Sequence, residues 1–166
     1  MADANPFAVF SLIVAPAILT NASSVLSMST GNRLARAVDR ARELSKQLEE
    51  PPAEERAHEV WRHDTARRLR ELAASETRSV MLVSALRNFY VALGGFATAT
   101  LVSLLGAVLI RFSGPVVLAL EAVTVVAGAL AVGSLIHGSL LLVRETQLAL
   151  GVLRERAEAA RGRVRD

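Results

Sequence analysis

The chain has 166 residues, and 52% of them are hydrophobic. It contains no cysteine, which excludes disulfides, thiolate metal sites and thiol chemistry and leaves the redox compartment unread. Its net charge is +3, with acidic residues interleaved among the basic ones, which argues against a nucleic-acid partner.

A helix needs about 20 apolar residues at about 1.5 Å each to cross the hydrocarbon core of a bilayer. Three runs reach that length: Phe7 to Ser29, Asn88 to Ile110 and Pro115 to Val143. Helices of soluble proteins rarely stay apolar on every side for so long. The expected fold is all-α and integral to a membrane, with three transmembrane helices and a long cytoplasmic helical hairpin between the first and second. The expected divisions are a first transmembrane helix over residues 1–31 and a hairpin over 32–79 that breaks at 51–52. A second transmembrane helix over 80–110, a third over 115–143 and a basic helical tail over 144–166 follow.

Orientation follows from where the basic residues lie. Gly31 to Ser79 holds eleven Lys and Arg residues and Arg144 to Asp166 holds six, whereas the stretch before Phe7 has none and the turn Arg111 to Gly114 has one. The positive-inside rule places the hairpin and tail in the cytoplasm and the N-terminus outside. A cleaved signal peptide is the competing reading of the first run. It lacks the basic n-region and exceeds the usual apolar length of about 7–15 residues. Phe7, Phe10, Phe89, Tyr90 and Phe112 fall near the expected membrane ends, where an aromatic belt belongs.

The first helix carries an unusual stripe. On a wheel of about 100° per residue, Pro16, Ala17, Ser23, Ser24, Ser27 and Gly31 lie within about 60° of Thr20. Leu34, Ala35, Val38 and Ala41 continue that face past Gly31. Small and hydroxylated residues mediate contacts in lipid, and leucines do so in water. One long helix from about Phe7 to Glu50, facing protein along its length, is therefore expected. Thr20, Ser23, Ser24 and Ser27 are its path-lining or helix-contact residues, and the helix is expected to join copies of the chain into a homo-oligomer.

In the hairpin, Leu34, Ala37, Ala41, Leu44 and Leu48 step by three and four, the seam of a coiled coil. Pro51-Pro52 ends that arm. A second arm runs through Val60, Trp61, Leu69 and Leu72 into the second membrane helix. There Asn88, Ala92, Gly95, Ala99 and Gly106 share a face with a small-xxx-small pair. The third helix has a small-residue track at Ala122, Ala129 and Gly133.

Three ionisable residues fall in or near the apolar runs. Arg87 and His137 sit toward cytoplasmic ends, and Glu121 lies about 9 Å into the third helix, with Arg111 as its expected partner. Such groups are costly in lipid and are functional candidates by default.

Catalytic, metal and cofactor sites are not expected. His58 and His63 are five residues apart, whereas two zinc-protease histidines need a spacing of four on one face. No phosphate loop or nucleophile elbow is present, so no enzyme is expected.

Ile13-Val-Ala-Pro-Ala-Ile18 and the block Gly31-Asn-Arg-Leu-Ala-Arg-Ala-Val-Asp-Arg-Ala-Arg-Glu-Leu44 resemble a bacterial membrane-protein family, the domain of unknown function 2721. The resemblance spans roughly Phe7 to Val143. It implies a small multi-pass protein of the bacterial inner membrane and supplies no activity. Within its block, Arg33, Arg36, Asp39, Arg40 and Arg42 form a basic group, in which Asp39 can pair with Arg36 or Arg42 and the arginines can meet anionic lipid. The leading functional expectation is a channel-like oligomer that passes an ion or small solute. The alternative is a non-catalytic scaffold presenting the hairpin to a cytoplasmic protein partner.

Overall fold

The structure is a computed structural model that describes the backbone of residues 6–49, 55–109 and 114–165, and side chains within 14–49, 65–109 and 114–151. The described residues form three helices and no strand: α1 (Pro6–Glu49), α2 (Glu55–Leu109) and α3 (Gly114–Arg165). Each helix runs unbroken past the expected membrane boundary. The Pro51-Pro52 break, the Arg111 turn, Phe7, Phe10, Trp61 and Phe112 lie outside the described side chains.

Burial on each helix repeats every seven residues, in steps of three and four. On α1 the buried residues are Ser23, Ser27, Thr30, Ala37 and Leu44, with Thr20, Leu34, Ala41 and Leu48 half-buried in the same register. On α2 they are Ser75, Leu82, Ala85, Phe89, Ala92, Phe96, Ala99 and Ser103. On α3 they are Thr124, Ala131, Gly138 and Glu145. A seam of this period keeps one face of a helix toward its neighbours when helices supercoil.

The described contacts divide into two units. Unit 1 comprises Met1–Ser29 and Ala85–Ser139, and unit 2 comprises Thr30–Ser84 and Leu140–Asp166. Unit 1 has a core of Ala92, Phe96 and Ala131, with Leu19 and Leu135 packed against it. Its helices approach closely at two glycines. A methyl built on Gly95 meets the Ala131 Cβ at 2.8 Å and the Ala127 carbonyl oxygen at 3.1 Å, and one built on Gly138 meets the Phe89 ring at 2.7 Å. Alternation of Phe and Ala along α2 therefore fits a small-residue face on α3. In unit 2 Ala37, Leu44 and Leu82 are the buried apolar residues among those described, with polar clasps at the α1–α2 contact. Arg40 Nη2 donates to Glu71 Oε2 at 3.2 Å, and Arg68 Nη1 donates to Gln47 Oε1 at 3.2 Å.

Two helical stretches are long and apolar enough to cross a membrane, Thr65–Leu109 and Gly114–Gly151. Only 22% and 11% of their most apolar windows is buried. Both helices leave large apolar residues exposed in the single chain (Leu101, Leu104 and Val108 on α2; Leu118, Val125 and Leu130 on α3), unlike the mostly buried core helix of a soluble protein.

Burial within the single chain differs from the expected faces at several positions. The buried face of α1 is centred about 60° from Thr20, toward Ser23 and Thr30, because the register follows the steps of three and four rather than the density of hydroxyls. Ala17, Ser24 and Ala35 are consequently exposed, whereas Val38 and Leu34 are half-buried. Phe89 is fully buried against Gly138 and is not a belt residue; Tyr90, one position on, is 58% exposed. Leu69 is exposed because the register of Ser75 and Leu82, carried back one repeat, turns Arg68 and Glu71 inward instead. The track of Ala122, Ala129 and Gly133 is exposed as well.

Candidate functional site

The described polar chemistry of unit 2 gathers around one carboxylate. Glu145 continues the α3 register of Thr124, Ala131 and Gly138, so its helix turns it inward, and it is 2% exposed. Burying an ionised carboxylate is costly unless it is paired and hydrogen-bonded. Arg78 of α2 donates to Glu145 Oε1 from Nε at 2.9 Å and from Nη2 at 2.7 Å. Arg33 of α1 donates from Nη1 to the other oxygen, Oε2, at 3.4 Å. One residue from each helix thus meets in a cluster of two guanidiniums and one carboxylate. Both carboxylate oxygens are engaged, and each arginine keeps part of its side chain in solvent.

This cluster forms one wall of an open recess of about 420 Å³ lined by Arg33, Arg36, Arg40, Arg78 and Glu145, with small or hydroxylated neighbours Ala37, Ser75, Thr146 and Ala149. Arg33, Arg36 and Arg40 project from one side of α1, at spacings of three and four. Four guanidiniums face one carboxylate in this lining, so its electrostatic character is strongly positive. Arg40 shares Glu71 with Arg67. Of the remaining basic block, Asp39 pairs with Arg42 at 3.8 Å on the exposed surface, a contact that contributes little.

The hydroxyls follow a different logic. Thr20 Oγ1 donates to the Pro16 carbonyl at 2.8 Å and Ser27 Oγ to the Ser23 carbonyl at 2.9 Å. Thr98, Thr100, Thr124 and Ser139 likewise bond to the carbonyl four residues back. A hydroxyl satisfied by its own helix can sit in an apolar setting without a partner chain. Ser23, Thr30 and Ser103 are the buried exceptions, with no hydrogen bond to their side-chain oxygens among the described residues.

Arg87, Glu121 and His137 are all exposed, and none of them is in a salt bridge among the described residues. Among the described residues no group of His, Asp and Glu is arranged to hold a metal ion; His58 and His63 lie outside the described side chains. Sequence reasoning missed Arg78 and Glu145. The available signal was Glu145 itself, an acid standing in the heptad position of Thr124, Ala131 and Gly138 just after the apolar run.

No curated protein and no solved structure matches the chain. A family model does, over residues 13–155, a range that takes in all of α2, most of α1 and α3, and every residue of the Arg33–Arg78–Glu145 cluster. The chain belongs to that family, described as a protein of unknown function (DUF2721).

Proposed function

We propose that the chain is a non-catalytic, multi-pass scaffold of the bacterial inner membrane. The apolar half of α1 crosses the bilayer together with the apolar runs Asn88 to Ile110 and Pro115 to Val143. The N-terminus is outside, and residues 32–79 and 144–166 are in the cytoplasm, where the hairpin meets a protein partner. Support for the topology comes from the basic residues, which cluster in Gly31 to Ser79 and beyond Arg144.

The observation that carries a scaffold over a channel is the burial of Ser23 and Ser27 inside their own chain. Hydroxyls turned toward a neighbouring helix of the same copy are not a water path between copies. The absence of native cysteine makes the test direct, since every single-cysteine variant has one thiol. In sided membrane vesicles, a charged, membrane-impermeant thiol reagent is expected to modify Asp39→Cys and Thr146→Cys from the cytoplasmic face alone. Ser23→Cys and Ser27→Cys should stay unmodified from both faces. Rapid modification of Ser27→Cys, together with ion flux through the reconstituted protein, would replace the scaffold with a channel.

Exposed polar residues bear on assembly in the scaffold and the channel reading alike. Asn21 and Ser24 are exposed on α1, and a polar side chain in lipid favours a neighbouring helix that can hydrogen-bond to it. The exposed Glu121 and the exposed small residues Ala122, Ala129 and Gly133 on α3 ask for cover in the same way. A homo-oligomer joined through α1 answers that need in either reading. Mild oxidation of Ser24→Cys in membranes is expected to give a disulfide-linked dimer on non-reducing gels; a persistent monomer would remove α1 from the interface.

A further inference from the structure

The recess of unit 2 has a chemistry that a purely structural ion cluster does not require. Glu145 needs its two arginines, and they suffice to satisfy both its oxygens. Arg36 and Arg40 add two more cations to the same lining without approaching that carboxylate. Arg36 makes no ion pair among the described residues. A guanidinium has five N–H donors in a planar fork. Arg33 spends Nη1 on Glu145 and Arg40 spends Nη2 on Glu71, which leaves each with further donors. Like charges gathered along one side of a helix destabilise it unless something offsets them.

We propose that this recess binds a phosphate group. Arg33, Arg36, Arg40 and Arg78 are its ligands, and Glu145 is a positioning residue that holds Arg33 and Arg78 at the wall. Tetrahedral oxyanions suit several guanidinium forks arriving from two helices, and bidentate arginine contacts are the strong form of that recognition. The opening of about 420 Å³ is in the size range of small-ligand sites and admits a headgroup or a free phosphate compound. Position favours the lipid source. Arg33 follows Met28 by five residues, Arg78 precedes Val80 by two and Glu145 follows Val143 by two, so all three stand where their own helices leave apolar sequence. The lipid source rests on the membrane reading above; the phosphate site itself rests on unit 2 alone.

The test uses the full chain purified in an uncharged detergent, with thermal unfolding followed by circular dichroism. Two probes are titrated: inorganic phosphate against chloride at matched ionic strength, and short-chain phosphatidylglycerol against phosphatidylcholine. Ligand that binds only the folded state raises the midpoint. The midpoint should rise with phosphatidylglycerol, and a rise with inorganic phosphate instead assigns the same site to a soluble phosphate compound. Arg36→Gln with Arg40→Gln should weaken the response by roughly thirtyfold in apparent affinity, at about 1 kcal/mol per basic residue. Arg36→Gln alone, at an exposed position without an ion pair, keeps the test valid if the double variant is unstable. Arg87→Gln removes an exposed arginine outside the recess and should respond as the parent does. The proposal is overturned if neither probe raises the midpoint, or if the recess variants respond as strongly as the parent. Retention of the chain in alkali-washed membranes checks the membrane reading separately, so failure of one is distinguishable from failure of the other.

Discussion

Arg78→Met is expected to destabilise the protein by about 3 kcal/mol, more than removal of the acid it holds, in the range measured when one partner of a buried pair is deleted. Its loss strips Glu145 of its two shortest hydrogen bonds and leaves a carboxylate that is 2% exposed with the 3.4 Å contact to Arg33 alone. The reverse deletion is milder. Glu145→Leu leaves arginines whose side chains are 33% and 44% exposed, and these can turn toward water, for a cost of about 1–2 kcal/mol. The double variant Arg78→Met/Glu145→Leu should then be more stable than Arg78→Met, because no buried charge is left unpaired. Denaturant titration of the three variants in one detergent gives the coupling energy directly. Equal losses in both single variants and a fully additive double variant would mean that the cluster carries no buried charge penalty.

A second large effect is expected at adjacent glycines, with opposite signs. Gly95→Ala places a methyl 2.8 Å from the Ala131 Cβ and 3.1 Å from the Ala127 carbonyl oxygen. One neighbour is a methyl fixed to backbone and the other is backbone itself, so neither yields by changing rotamer. Relief requires the two helices to separate, at about 1–3 kcal/mol. Gly94→Ala meets nothing within 4 Å. It should stabilise α2 by about 0.5–1 kcal/mol, because alanine has less backbone freedom to lose than glycine. The comparison controls for helix propensity, membrane insertion and detergent, since the two sites are neighbours on one helix. If both substitutions shift the unfolding midpoint in the same direction, the close α2–α3 approach is not what Gly95 provides.

Much of the helical architecture was legible along the chain. Long apolar runs, with Pro16 the one proline well inside a described helix, point to helices without any knowledge of contacts, and the described residues form three. The steps of three and four at Leu34, Ala37, Ala41, Leu44 and Leu48 were equally readable, because a repeat near 3.5 residues is a property of one strand of sequence. The side of α1 that is buried was not. Ser23 and Ser24 are adjacent, chemically identical and both near the stripe; only packing against other helices separates the buried one from the exposed one. Phe89 and Tyr90 repeat that lesson on α2.

The candidate site was legible by half. Arg33, Arg36 and Arg40 are local in sequence, and their shared side follows from helix geometry alone. Arg78 and Glu145 are 67 residues apart, and Arg33 and Glu145 are 112 apart. Nothing in either neighbourhood names the other, so the recess exists only once three helices are brought side by side. Sequence by itself determined the helices, the switch from hydroxyls to leucines along α1 and the bias of positive charge, since each depends on residues within a few turns of one another. Tertiary structure alone decided which flank is covered, where glycine is obligatory and which acid the arginines share, because those are set by distances between helices, and helices far apart in sequence leave no local trace of where they touch.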